Sequence, residues 1–204
     1  VGNLMAWAQK SVRRMMAYSS VANAGYAALA LSVGVSAAGS TLLFLLIYGV
    51  TVIATFAMIE TLCRGFAGTD CNDLQVSELG AASRKTPKIA GVLFATLIFS
   101  LAGIPPLPGF LGKYVVLRDV WASGFTVGAV VMVLGTLLGL GYYLRILIPL
   151  FMEESVGTER KTGDKGLFWG PLFAGALSMA ALMGCLIGFG RLQQWLELVE
   201  GFAR

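Results

Sequence analysis

The chain has no histidine among its 204 residues. Imidazole is the side chain that titrates near neutral pH and the commonest metal ligand. Its absence sets aside haem, most zinc chemistry and histidine-based acid–base catalysis. Charge is also scarce. Asp, Glu, Lys and Arg make up 13% of the chain while hydrophobic residues make up 57%. A soluble domain is nearer a quarter charged, so the composition excludes that class and indicates a polytopic membrane protein. The net charge of +4 is spread over loops and forms no basic patch, which argues against nucleic-acid binding. Cysteine is represented only by Cys63, Cys71 and Cys185. With an odd count and no CxxC spacing they read as small buried or loop thiols, not as a disulfide framework or a metal cluster. The start of the chain has no signal-peptide pattern. It begins at Val1, already among apolar residues, and is expected to be a fragment of a longer protein.

What is present is long apolar runs. A spanning helix needs about 20 apolar residues, and five segments qualify: 15–33, 41–62, 89–117, 125–150 and 167–190. A stub over 1–9 reads as the end of a helix. The tail 191–204 places Leu192, Trp195, Leu196, Val199 and Phe202 at helical spacing, the pattern of a short amphipathic interfacial helix. The expected fold class is thus all-α and polytopic, one transmembrane domain over 1–204. Basic residues support five crossings. Lys10, Arg13, Arg14, Arg64, Arg84, Lys85, Lys88, Arg160, Lys161 and Lys165 fall in alternate loops, against Arg118, Arg191 and Arg204 on the other side. The richer side is expected to be cytoplasmic and the C-terminus external. Gly135 with Gly139, and Gly184 with Gly188, form GxxxG pairs, which close helix packing explains without a further role.

Polar residues inside these segments are arranged in faces. Ser19, Asn23 and Tyr26 share one face of the first segment, and Tyr48, Thr51 and Thr55 one face of the second. Such groups commonly bond neighbouring helices for about 1 kcal/mol or less; the functional alternative is a water-holding axis. Glu60 and Arg64 stand four apart, suited to a helix-end ion pair or, less simply, to a carboxylate at a proton entrance. Arg145 follows Tyr142 and Tyr143 near the basic end of the fourth segment. It reads as a snorkelling anchor or a partner in their network.

The third segment carries the sharpest signal. "SLAGIPPLPGFLGKY" (residues 100–114) puts Gly103, Pro105, Pro106, Pro108 and Gly109 inside an otherwise apolar run, with Lys113 just beyond. Each interior proline removes a backbone donor and costs about 3 kcal/mol, so a continuous helix is excluded across 103–109. Unpaired backbone is not tolerated against lipid, hence the break must face protein or water and the segment must be interior. A lysine at the membrane centre costs about 2.5–3.5 kcal/mol. It either snorkels to the outer surface or serves as a buried amine that takes up and releases a proton.

These residues carry a resemblance. Residues 2–26, "GNLMAWAQKSVRRMMAYSSVANAGY", the proline-rich stretch above and "YYLRI" at 142–146 resemble the antiporter-like membrane subunits of respiratory complex I, the N-type subunits of NADH-quinone oxidoreductase most closely. The resemblance implies a fold of two inverted five-helix repeats, of which this chain is similar to the C-terminal part. It implies that Lys113 matches a channel lysine on a broken helix, that NADH, FMN, iron–sulfur clusters and quinone sit in other subunits, and that this chain carries no cofactor. It further implies a bacterial inner membrane location, with other membrane subunits, lipid and the N-terminal half of the same protein as partners. Asn23 departs from the family's usual histidine; an asparagine holds water but does not titrate. The alternatives are a subunit of a multisubunit cation/proton antiporter or membrane-bound hydrogenase, and a purely structural packing module.

Overall fold

A computed structural model describes residues 1–65, 74–151 and 184. Its elements are α1 (Gly2–Trp7), α2 (Val12–Ser32), α3 (Ala38–Gly65), α4 (Leu79–Lys85), α5 (Lys88–Ala102), α6 (Pro108–Ala122) and α7 (Thr126–Phe151). No strand occurs among the described residues; one isolated bridge joins Ser11 and Gln75. The fifth apolar segment and the amphipathic tail lie outside the described residues.

The chain folds back where glycine permits it. Gly34 has φ +113° at the α2–α3 turn and Gly124 has φ +80° at the α6–α7 turn, backbone that side chains with a Cβ rarely adopt. The sequence expectation ended the third segment at 117, with Arg118 in a loop. Instead α6 continues through Arg118 and Asp119 to Ala122, because nothing helix-breaking precedes Ser123-Gly124. The polar loop after α3 also holds more structure than its composition suggests. Gln75 and Glu78 form a capping box that leads into α4. Val12 N and Val76 N donate to Leu74 O and Lys10 O, both at 3.0 Å, tying this loop to the start of α2.

Among the described residues, two helical stretches, Val35–Arg64 and Thr126–Phe151, are long and apolar enough to cross a membrane alone. The 21-residue α2 is long enough but is diluted by Arg13, Arg14 and its serines and asparagine. The third segment is divided: α5 and α6 have 15 residues each, so each is about 22 Å long, short of a ~30 Å core. The two half-helices are joined through the break and pack against each other and against α3.

Two apolar clusters hold the bundle, the smaller one joining Phe44, Val116, Val120, Ala129 and Met132; the larger is the main core. Met15, Met58, Leu62, Phe94, Ile98, Tyr142 and Ile146 are buried in it together. Outward faces of α3 and α7 stay apolar and exposed, as at Leu42, Ile53, Val127 and Leu137. Small residues set the close crossings. A Cβ on Gly141 would strike the Trp7 ring, and one on Gly135 the Tyr26 hydroxyl. Gly139 meets only tyrosines of its own helix, so within α7 the glycines that approach another helix are 128, against Leu29 of α2, 135 and 141. A Cβ at Gly184 would meet nothing within 4 Å among the described residues.

A candidate proton site at the helix break

The break is closed by hydrogen bonds that the sequence makes available. Gly103 takes the left-handed conformation (φ 83°) after Ala102. Its N–H and that of Ile104 then donate to Phe99 O, both at 3.2 Å, the arrangement that ends many helices. The chain passes through a cis Pro105–Pro106 bond and restarts at Pro108, the first residue of α6. There its missing N–H costs nothing, because first-turn donors lack intrahelical partners anyway. Pro108 and Gly109 therefore begin a helix and are not part of the interruption, which is narrower than 103–109.

Two side chains stitch the half-helices together. Ser100 Oγ, from α5, accepts from Gly109 N at 3.1 Å. Lys113 Nζ, from α6, donates to Leu101 O at 2.7 Å, one of the carbonyls left over where α5 ends. Lysine supplies a cation at the negative end of the α5 dipole. The direction follows from helix geometry: side chains tilt toward the N-terminus of their own helix. Lys113 thus reaches back to the break, away from the far end of α6. From Lys113 to Ala122 is about 14 Å along the helix, nearly half of a ~30 Å core.

Lys113 borders two cavities. A narrow one of about 10 Å³ is lined by Phe44, Tyr48, Thr51, Ser100 and Gly109 among others, room for about one water. A more open one of about 160 Å³ lies on the other side, against Gly103, Tyr114, Met132 and Thr136. Ser100→Ala should leave Gly109 N without its acceptor, costing about 1–2 kcal/mol, read as a lower thermal midpoint of the assembled protein.

A second polar cluster lies between α1, α2 and α7. Asn3 Nδ2 donates to Gly135 O at 2.8 Å and to the Tyr26 hydroxyl at 3.1 Å. The Tyr142 hydroxyl donates to Asn3 Oδ1 at 3.2 Å. Ser19 and Tyr143 share a hydroxyl–hydroxyl bond, and Asn23 Nδ2 donates to Ser19 O at 2.9 Å. Ser19, Asn23, Tyr26 and Tyr142 are thus brought together and buried. Asn3, their hub, was missed in the sequence because it lies in the short stub. Only its amide, able to donate and accept at once, signals the role.

The threonines behave differently. Thr51 and Thr55 are buried, but each hydroxyl donates at 2.7 Å to the carbonyl four residues earlier in α3. That satisfies their donors internally; only their lone pairs face outward. Glu60 is an ion-pair residue, with Arg64 Nε at 2.9 Å and Arg13 Nη2 at 3.6 Å. Arg145 Nη1 donates to Trp7 O at 2.8 Å, capping the end of α1. Neither borders the Lys113 cavities. Glu60→Gln is expected to cost less than about 1 kcal/mol, since all three side chains are substantially exposed; its thermal shift should shrink further in high salt. No group of His, Cys, Asp and Glu able to hold a metal occurs among the described residues.

Known proteins are similar to this chain in sequence and in fold. A family model described as "NADH:quinone oxidoreductase/Mrp antiporter, TM" matches residues 1–139. NADH-quinone oxidoreductase subunit N of Hirschia baltica is 32% identical over 98% of this chain and 39% of its own length. Subunit N 1 of Koribacter versatilis is 35% identical over 100% of this chain and 40% of its own. The chain therefore spans about two fifths of these relatives. Among solved structures, respiratory complex I from Thermus thermophilus with bound aureothin contains a chain 28% identical, with a TM-score of 0.72 over 93% of this chain and 41% of that one. The Mrp complex from Dietzia sp. DQ12-45-1b shares the fold, with a TM-score of 0.76 at 21% identity over 97% of this chain and 43% of that one. With its broken helix and interior lysine, the chain belongs to the transmembrane family of NADH:quinone oxidoreductase and Mrp antiporter subunits.

Proposed function

We propose that this chain is the C-terminal part of a proton-translocating membrane subunit in a bacterial complex I-type NADH-quinone oxidoreductase, with Lys113 as the proton carrier. The observation that carries this reading is the Lys113 amine held at the helix break, 2.7 Å from Leu101 O and between two cavities. The amine gives up its proton to water in one cavity and regains it from the other, while Ser100 keeps the half-helices in register. The subunit N relatives support the complex I assignment over the antiporter one, because the Mrp likeness speaks for the fold alone. In this reading redox groups reside in other subunits, five helices cross the membrane, the basic loops are cytoplasmic and the C-terminus is external. The remaining partners are lipid, neighbouring membrane subunits and the N-terminal part of the same subunit.

The test is Lys113→Ala in the assembled complex, reconstituted in vesicles, with proton movement read per NADH oxidised. A fall with normal assembly is expected. Undiminished proton movement overturns the role.

A further inference from the structure

Two buried side-chain oxygens have no protein partner among the described residues: Asn23 Oδ1 and the Tyr48 hydroxyl. They belong to different helices, α2 and α3, and to the two polar regions described above. Asn23 is bonded through its amide to the α2 backbone, which leaves its carbonyl oxygen turned to the interior. The Tyr48 hydroxyl stands amid Ser19, Ser20 and Asn23, and Tyr48 also lines the narrow cavity beside Lys113. Phe44 stacks on its ring at 5.8 Å and fixes its direction. Tyr48 is therefore the side chain common to the Asn3–Tyr142–Ser19 cluster and to the lysine chamber.

A buried hydroxyl and a buried amide oxygen left unpaired are each costly, and buried polar atoms in folded proteins are satisfied by protein or by water. Asn23 Oδ1 can only accept, whereas a phenol donates and accepts. One water molecule set between them would donate to Asn23 Oδ1 and exchange hydrogen bonds with Tyr48. We infer that Asn23 and Tyr48 hold a bound water at the junction of the two polar regions, and that Tyr48 is the positioning residue that links this water to Lys113. The inference rests on the proton-carrier reading of Lys113 and adds the route by which a proton reaches it. In the relay, the junction water passes one proton to Tyr48 Oη as the phenolic proton leaves toward the water beside Lys113. One proton enters, one leaves, and Tyr48 is regenerated when its hydroxyl turns back. The threonines of α3 do not compete, because their hydroxyl protons are committed to their own helix.

The experiment uses the full subunit in its assembled complex, with Tyr48→Phe, Asn23→Leu and Lys113→Ala compared. Phenylalanine keeps the ring and its stacking and removes only the hydroxyl. The expected results are an ordered water between Asn23 Oδ1 and Tyr48 Oη in a high-resolution structure of the parent, its loss in Tyr48→Phe, and a several-fold fall in protons moved per NADH in that variant. The solvent isotope effect on the residual transfer should change as well. Thermal stability discriminates too: if the hydroxyl is merely an unsatisfied group, Tyr48→Phe raises the melting midpoint, and if it anchors a water shared with Asn23, the midpoint falls or stays. A raised midpoint, or full proton movement in Tyr48→Phe while Lys113→Ala is impaired, overturns the water link and leaves the lysine role standing. Full proton movement in both variants overturns both.

Discussion

Gly109→Val is expected to abolish assembly of the subunit. Gly109 lies in the first turn of α6, where α6 crosses the end of α5. Even the single Cβ of alanine there would overlap the Ser100 carbonyl oxygen and crowd its hydroxyl. The obstacle is backbone, so no rotamer change relieves it, and the half-helices must separate. Overpacking a core by a methyl or two usually costs about 1–3 kcal/mol. Here the separation also breaks the Ser100–Gly109 bond and stretches the Lys113–Leu101 contact, leaving unpaired backbone inside the bundle. The sum exceeds about 5 kcal/mol, comparable with the whole stability of many domains. Gly109→Ala should show an attenuated form of the same defect. The measurement is the yield of assembled complex after solubilisation, with Gly25→Ala as the comparison. A Cβ at Gly25 meets nothing within 4 Å among the described residues, so that variant should assemble normally. Normal yield for Gly109→Val would mean that the close crossing at the break is wrong.

The contrast between these glycines shows what composition and spacing carried and what they did not. The break itself was legible, because three prolines in four residues forbid a helix whatever surrounds them. The polar face of α2 was legible from helical periodicity. What lay beyond reach was contact: which glycines of α7 approach another helix, that Asn3 gathers Tyr26, Tyr142 and Gly135, and that Thr51 and Thr55 turn inward on their own backbone. A threonine in an apolar helix has the same letter whether it bonds a neighbour, a water or the carbonyl one turn back. Only the packing of α3 against α5 and α6 decides. The extent of α6 was misjudged for a related reason. Arg118 looked like a loop charge, yet it pairs with Asp119 at 2.8 Å inside the helix, and Asp119 in turn accepts from Ser40 at the start of α3. Neighbouring opposite charges are cheap to keep helical, so a lone arginine does not mark a helix end.

Lys113→Arg is expected to separate the two things a lysine does at the break. As a structural group, Lys113 presents a cation and a donor to Leu101 O. Arginine can do both, so Lys113→Arg should assemble and melt close to the parent. Lys113→Ala leaves that carbonyl without its partner and should lose about 1–3 kcal/mol, part of which is returned because no ammonium need be kept in an apolar surrounding. As a carrier, Lys113 must give its proton away and take it back. Guanidinium does not release its proton in proteins, and alanine has none to release. Both variants should therefore slow proton transfer through this subunit by about a hundredfold or more, the range lost when a proton-transferring side chain is removed. The pattern, and not either value alone, is diagnostic: stability follows charge, parent and arginine together with alanine lower, while proton movement follows the ability to titrate, with arginine and alanine together and both low. If arginine supports full proton movement, Lys113 is a cap on α5 and no carrier, and the hydrated route must pass elsewhere. Conversely, a Lys113→Arg complex that assembles fully yet moves few protons per NADH leaves an exchangeable proton on this amine as the remaining explanation.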